Sequence, residues 1–305
     1  MRRNRYVIGS FALAVLLLTA CGGDPVPVAP APADPPEPTG TASAVRQEPT
    51  GLVGMWTVTG DGVAADTVLR LGDDGPLVFQ GCEMLTGDWR ADQSGLFLAD
   101  VHGASMTDDR GCGPSGRTRT PDWLARASAF RADGDSRLLL DADGAELARL
   151  RPGARPRGGP DVYPPWLEPP VVTEETRRRL APVPPLPAGL VAPDQVALTG
   201  RWLPAGGPDG RGPAPGPGGW PEPPYAEFAA DGTWRASDGC NGTGGRWVSG
   251  PAGAFAATGG VSTLIGCDNV PIGAWLITAR QVGLDGEVLV LRDAQGAETG
   301  RLRRA

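Results

Sequence analysis

The chain carries one segment twice, and this duplication limits the folds that are open to it. From Trp123 and Trp275 onward the two copies align without a gap. The pairs that follow at equal distances are Asp141 and Asp293, Gly144 and Gly296, Glu146 and Glu298, and Arg149 and Arg301. A register this exact over so long a stretch indicates an internal repeat. We therefore expect two small domains of one fold.

The first 20 residues have the features of an export signal. Arginines at positions 2, 3 and 5 precede a mostly apolar run over residues 6–18. Residues 18–21, Leu-Thr-Ala-Cys, resemble the lipobox of bacterial lipoproteins. The resemblance implies that residues 1–20 are a signal peptide and that Cys21 is lipidated with acyl chains such as palmitate, which would anchor the protein in the membrane. The alternatives are an ordinary signal peptide with a chance cysteine, or a retained membrane helix, for which the apolar run is short of about 20 residues.

The other four cysteines follow the repeat. Cys82 and Cys112 lie in the first copy, and Cys240 and Cys267 lie in the second. An exported protein meets oxidising conditions, where paired cysteines at equivalent places form disulfides. Of the three possible connectivities, only Cys82 with Cys112 and Cys240 with Cys267 would have given a single ancestral domain its own bridge. The alternative, a structural zinc site, requires closely spaced soft ligands that this chain lacks.

Composition divides the chain into five segments. Residues 1–20 are the predicted signal peptide, and residues 21–50 are a Pro-rich tether. The first repeat covers residues 51–151 and the second covers residues 196–305. Between them, residues 152–195 are again Pro-rich and contain a predicted short helix that Thr173 caps, with acidic residues in its first turn and arginines in its last.

Within each repeat, short β-like runs alternate with Asp-Gly and Gly-rich turns. One helix is predicted in each copy. In the first, Thr120 would cap it and Pro121 would occupy its first position, with Trp123, Leu124 and Ala127 facing inward; residues 271–281 are the counterpart. The predicted fold class is mainly β, with two small antiparallel barrel or sheet domains, each packed by one α-helix.

The second repeat resembles the META, or HslJ-like, domain. The residues that carry the resemblance are Asp-Gly-Cys-Asn at 238–241, Ser-Thr-Leu-Ile-Gly-Cys at 262–267, and the run 286–303. The first repeat is similar more loosely, because Glu83 stands where the family favours asparagine and residues 109–120 form an irregular insertion. The resemblance implies a calycin-like β-barrel of envelope and secreted proteins, with no established catalytic residues.

Charge and residue types exclude several functions. The formal net charge is −7, and removal of the signal peptide would make it more negative by its three arginines. An acidic body repels phosphate backbones, which argues against nucleic acid as a partner. His102 is the only histidine, so imidazole-assisted nucleophilic catalysis has little support, and we expect His102 to be an ordinary strand residue. We expect no catalytic residue, no metal and no cofactor.

These observations predict a non-enzymatic, membrane-anchored lipoprotein on the extracytoplasmic face of the cell membrane. Its role would be in envelope stress, structure or protein interaction, with an envelope protein as the possible partner. Trp166 and Trp220 lie in Pro-rich segments without counterparts in the other copy, so they are candidates for exposed contacts. The alternatives are a lipocalin-like carrier that holds a small apolar ligand inside one barrel, and a surface hydrolase that uses two carboxylates.

Overall fold

The structure, a computed structural model, describes residues 46–106, 119–159, 162–206, 222–263, 265–266 and 269–305. Residues 44–305 form one compact unit. Cys21, Cys112, Cys267 and Trp220 lie outside the described residues. So do the predicted signal peptide and most of the predicted tether.

The first repeat folds into an eight-stranded antiparallel sheet. Its strands are β1 (Gly54–Thr59), β2 (Val68–Gly72), β3 (Gly75–Gln80), β4 (Glu83–Ala91), β5 (Phe97–Met106), β6 (Ala129–Asp133), β7 (Ser136–Leu140) and β8 (Glu146–Pro152). Their order across the sheet is β5-β4-β3-β2-β1-β8-β7-β6. The first strand therefore pairs with the last.

The second repeat folds into a second eight-stranded antiparallel sheet. Its strands are β9 (Gly200–Pro204), β10 (Tyr225–Phe228), β11 (Thr233–Ser237), β12 (Gly242–Ser249), β13 (Phe255–Ala257), β14 (Gln281–Asp285), β15 (Val288–Arg292) and β16 (Glu298–Arg304). The order, β13-β12-β11-β10-β9-β16-β15-β14, is the order of the first sheet shifted by eight strands. The repeat in sequence is thus a repeat in topology.

The predicted fold class is confirmed as mainly β, with one sheet curved into a half-barrel and the other into a nearly closed barrel. The edge strands of each sheet meet at one isolated bridge, which joins Leu96 to Ala129 in the first sheet and Ala254 to Gln281 in the second. Curvature of this kind shelters the edge strands, whose unpaired backbone groups would otherwise be open to association.

Short helices lie between the strands. They are α1 (Asp122–Ala125), α2 (Glu174–Arg179), α3 (Gln195–Leu198) and α4 (Ile272–Thr278), with 3-10 turns at Pro49–Leu52, Pro164–Leu167 and Pro251–Gly253. Helix α1 belongs to the first repeat and α4 to the second, as predicted. Trp123, Leu124 and Ala127 are buried, which confirms the inner face of α1. Thr173 caps α2 as predicted, because its Oγ1 accepts from Thr176 N at 3.0 Å.

The predicted cap of α1 is wrong. Pro121, not Thr120, is the N-cap, and it makes no side-chain cap hydrogen bond. The Thr120 hydroxyl instead donates to Asp100 Oδ1 at 2.9 Å and accepts from Val101 N at 2.9 Å. Thr120 therefore fastens the start of α1 to strand β5, a tertiary contact that sequence spacing does not reveal.

Each sheet encloses its own apolar core. The largest fully buried side chains are Trp89 and Phe97 in the first core and Trp202, Phe228, Trp247 and Phe255 in the second. The indole nitrogens of Trp56 and Trp202 donate to the carbonyl oxygens of Leu52 and Leu198, each four residues earlier. The two copies thus keep the same buried polar contact for their equivalent tryptophans, which indicates a structural role.

The repeat also preserves surface ion pairs. Arg149 contacts Asp133 and Glu146, and the equivalent Arg301 contacts Asp285 and Glu298. The Asp-Gly turns behave alike as well, since Asp141 Oδ1 accepts from the backbone nitrogens two and four residues later, as Asp293 Oδ1 does. Both segments are hairpin turns, as the sequence predicted.

Candidate functional site

The two sheets pack directly against each other, and their contact is the candidate site, here called the junction. Its apolar centre is formed by Leu96 and Leu98 of the first sheet with Val248, Ala254 and Ala256 of the second. Strand β12 contacts β5, and β13 contacts both β4 and β5. The two repeats are therefore joined by a small shared cluster in addition to their separate cores.

Arg246 provides the main polar link across the junction. Its Nη1 donates to the carbonyl oxygens of Ala99 and Leu124, both in the first repeat, at 3.1 Å each. Burial lowers the pKa of Arg246 below its ordinary value, although Asp100 and Asp231 partly oppose the shift. A largely buried guanidinium that bonds two carbonyls fixes the orientation of the sheets, because moving them apart would leave polar groups unpaired.

A cleft of about 510 Å³ opens beside this link. It is lined by residues 94–96, 141–143, 230–232 and 246–251, among others. Two of its carboxylates serve turns: Asp141 accepts from backbone nitrogens and pairs with Arg126, and Asp231 accepts from Thr233 N and Oγ1. The bonds from the side chain and backbone of Thr233 lower the pKa of Asp231, which suits a turn cap better than a general acid.

A second cleft of about 300 Å³ lies nearby and includes Arg46, Asp92 and Gln281. Burial raises the pKa of Asp92, although its carboxylate accepts from Ser94 N, Ser94 Oγ and Leu96 N. Asp92 and Asp231 thus cap turns of the same kind in different surroundings. Among the described carboxylates, Asp92 is the one whose surroundings raise the pKa and so disfavour the charged form.

Three arginines cluster at the edge of the junction, where the linker meets both sheets. Arg90 comes from β4, Arg179 ends α2, and Arg280 directly precedes β14. The guanidinium of Arg179 lies 4.7 Å from the centre of the Trp89 ring and donates to Gly72 O at 3.1 Å. The Arg280 Nη1 donates to the carbonyls at the C-terminal end of α4, those of residues 277–279. Arg90 pairs with Asp88.

Asn241 organises a different polar cluster in the second repeat. Its side chain accepts from Ile265 N at 2.6 Å and Thr263 Oγ1 at 2.9 Å, and it donates to Ile265 O at 3.0 Å. Asp238 in turn accepts from Cys240 N and Asn241 N. These bonds hold the loop beyond β13 against the turn before β12. In the first repeat Glu83 instead opens β4, opposite Gln80.

The predicted site residues have different outcomes. Cys82 and Cys240 are disulfide-bonded. Their predicted partners Cys112 and Cys267 lie outside the described residues, so the pairing stays a prediction, as does lipidation of Cys21. His102 is exposed on β5, as expected of an ordinary strand residue. Trp166 is half-buried against the first sheet and meets Tyr163 edge-on at 5.7 Å, so it is less exposed than predicted.

Sequence reasoning missed the junction altogether. Arg90, Arg246 and Arg280 carry no motif, and the last turn of α2 suggested only a response to the helix dipole. The described residues contain no group of three His, Cys, Asp or Glu side chains placed to hold a metal. They also contain no helix that is long and apolar enough to span a membrane.

Comparison with protein-family models, curated proteins and solved structures finds no match to this chain. The resemblance to the META domain therefore stays an expectation that rests on the motifs of the second repeat.

Proposed function

We propose that this protein is a lipid-anchored, extracytoplasmic binding protein without enzymatic activity, which presents its paired β-sheets outside the cell membrane. The observation that carries the proposal is the order of segments: a lipobox-like Leu-Thr-Ala-Cys at 18–21, then a Pro-rich stretch, then a compact unit. The compact unit begins at residue 44, earlier than the predicted end of the tether at residue 50, and Gln47 N already donates to Gln93 O at 3.0 Å. At about 3.1 Å per residue, the 22 residues from 22 to 43 could hold that unit up to roughly 70 Å from the membrane.

The packed junction supports a role in interaction or structure. A compact unit of two sheets offers a broad surface, and a surface that is already ordered loses little conformational freedom on binding. The cleft of about 510 Å³ beside Arg246 is a concavity on this surface that is lined by both repeats. We therefore place an envelope protein partner, or a structural neighbour in the envelope, at this face.

The two alternatives have weaker support. A lipocalin-like carrier needs space inside a barrel, yet the largest fully buried side chains fill the two cores. A carboxylate hydrolase needs one acid with a raised pKa that faces a cleft beside a second free carboxylate. The pKa of Asp92 is raised, but its Oδ1 accepts from Ser94 N, Ser94 Oγ and Leu96 N and so serves the turn over residues 94–96.

Photo-crosslinking in intact cells tests the proposal. A crosslinking residue replaces Asp143, which is exposed in the cleft, and in a matched control it replaces Asp61, which is exposed in the loop between β1 and β2. We expect a discrete adduct from the cleft position, none from the control, and loss of the adduct when Cys21→Ala releases the chain. Equal adducts from both positions, or retention of the wild type in the cytoplasm, would contradict the proposal.

A further inference from the structure

The arginine cluster joins three separate parts of the chain at one point. Arg90 and Arg179 both donate to the carbonyl oxygen of Trp89, at 2.8 and 3.4 Å, so their guanidinium groups are neighbours. Arg280 lies at the edge of the second sheet, where its carbonyl oxygen accepts from Phe255 N of β13 at 3.0 Å, and β13 contacts β4, the strand that carries Arg90. The cluster therefore combines the first sheet, the linker helix and the second sheet, and it exists only when all three are docked.

Positive charge exceeds negative charge at this point. Among the described residues, Asp88 is the carboxylate that pairs with the cluster, through Arg90, and it also accepts from Gly259 N at 3.5 Å. Three guanidinium groups and one carboxylate leave two positive charges. More distant carboxylates also act on the cluster, but they have other contacts: Asp73 accepts from Thr173, Glu175 pairs with Arg178, and Asp293 caps its turn.

Burial makes this excess costly. The Arg90 side chain is only 12% exposed, and the Nε atoms of Arg90 and Arg179 are buried without a hydrogen-bond partner. Burial, followed by the charge of Arg90, lowers the pKa of Arg280 to about 10, and the same two causes lower that of Arg179. Buried donors without partners are rare in folded proteins, and a bound ion is one of the explanations for them.

We propose that the cluster of Arg90, Arg179 and Arg280 binds a phosphate-type oxyanion. A phosphate carries about −1.5 to −2 charges at neutral pH, which matches the excess of two positive charges. Guanidinium groups suit this ligand, because their fork of N–H donors fits phosphate oxygens and they are more weakly hydrated than ammonium groups. The anion would fasten the linker helix to both sheets, whether or not the chain is lipid-anchored.

Phosphate titration of the purified full-length protein in detergent tests this inference. The thermal midpoint is measured against phosphate concentration, with chloride at matched ionic strength as the reference. The variant Arg179→Gln is compared with Arg178→Gln, which makes the same charge change one position earlier, at a side chain that is 66% exposed and pairs with Glu175. We expect a saturable increase in the wild type and in Arg178→Gln, and at least about tenfold weaker binding in Arg179→Gln.

Two further arms identify the source of the phosphate group and remove dependence on folding of the variant. In the first arm, the unlipidated Cys21→Ala chain is mixed with phosphatidylcholine vesicles that either contain or lack phosphatidylglycerol. Binding that requires both phosphatidylglycerol and Arg179 would show that the ligand is a lipid headgroup. Binding of inorganic phosphate without binding to the vesicles would show that the ligand is a free anion. Selenate soaked into wild-type crystals should give an anomalous peak between the three guanidinium groups. An absent peak, no binding in either arm, or equal loss in both arginine variants would overturn the inference.

Discussion

Arg246 in the second sheet donates a hydrogen bond to the main-chain carbonyl of Leu124 in helix α1 of the first repeat, at 3.1 Å. With the matching bond to Ala99 O, it links the two repeats beside the apolar cluster at their contact. The contact depends on one long side chain of the second repeat and on backbone atoms of the first.

The variant Arg246→Gln should therefore destabilise the protein. Its shorter side chain removes the hydrogen bonds from Arg246 to the two junction carbonyls, so we expect a loss of about 1 to 3 kcal/mol in the free energy of unfolding. Urea denaturation measures this loss. Arg235→Gln is the control, because Arg235 is an exposed residue paired with Glu227 and should change stability by no more than about 0.5 kcal/mol. Equal effects of the two variants would show that the junction bonds contribute nothing.

The equivalent tryptophans Trp56 and Trp202 should respond alike to replacement by phenylalanine. Each variant removes a buried indole N–H that bonds a carbonyl four residues earlier, at a cost of about 1 to 3 kcal/mol. Thermal unfolding provides the measurement. The control, Trp166→Phe, changes a half-buried ring in the linker and should cost less. If the control costs as much as the two core variants, loss of ring area rather than the hydrogen bond explains the effect.

Asp92 and Asp231 should give opposite pH dependences. The pKa of Asp92 is raised in the folded protein, so its contribution to stability is greatest below the ordinary value of 3.8 and falls as pH rises through the folded pKa. The pKa of Asp231 is lowered, so its contribution is present above 3.8 and is lost as pH falls through the folded pKa.

Measuring the free energy of unfolding between pH 2 and 8 tests both predicted directions, because this range includes the pH values at which the two carboxylates titrate. Asp231→Asn should lose stability at neutral pH and approach the wild type in acid. Asp92→Asn should be better tolerated at neutral pH, because the amide oxygen still accepts hydrogen bonds and no charge is buried. Parallel profiles for the two variants would contradict the assigned environments.

Each repeat should carry its own disulfide. Peptide mapping without reduction should link Cys82 to Cys112 and Cys240 to Cys267. The pair of substitutions Cys240→Ser and Cys267→Ser should cost roughly 3 to 4 kcal/mol, the value that chain entropy assigns to a loop of about 30 residues. A peptide that links a cysteine of one repeat to a cysteine of the other would refute the assignment.

Features encoded locally could be predicted from the sequence. The turns at Asp141 and Asp293 depend on side chains that bond the next few backbone nitrogens, and Thr173 caps α2 by accepting from the backbone nitrogen three residues later. The prediction that Thr120 caps α1 was wrong, because its hydroxyl donates to Asp100, twenty residues earlier. Here a tertiary contact outweighs the local capping preference. The arginine cluster could not be predicted, since its members are up to 190 positions apart and meet only after the sheets dock.

The order of anchor, tether and paired sheets is the central claim, and mass spectrometry of the protein isolated from its native membranes tests it most directly. The account predicts a mature chain that begins at Cys21 and carries acyl chains, recovered in the membrane fraction. A chain that retains residues 1–20, or one that begins elsewhere with an unmodified Cys21 in the soluble fraction, would contradict it.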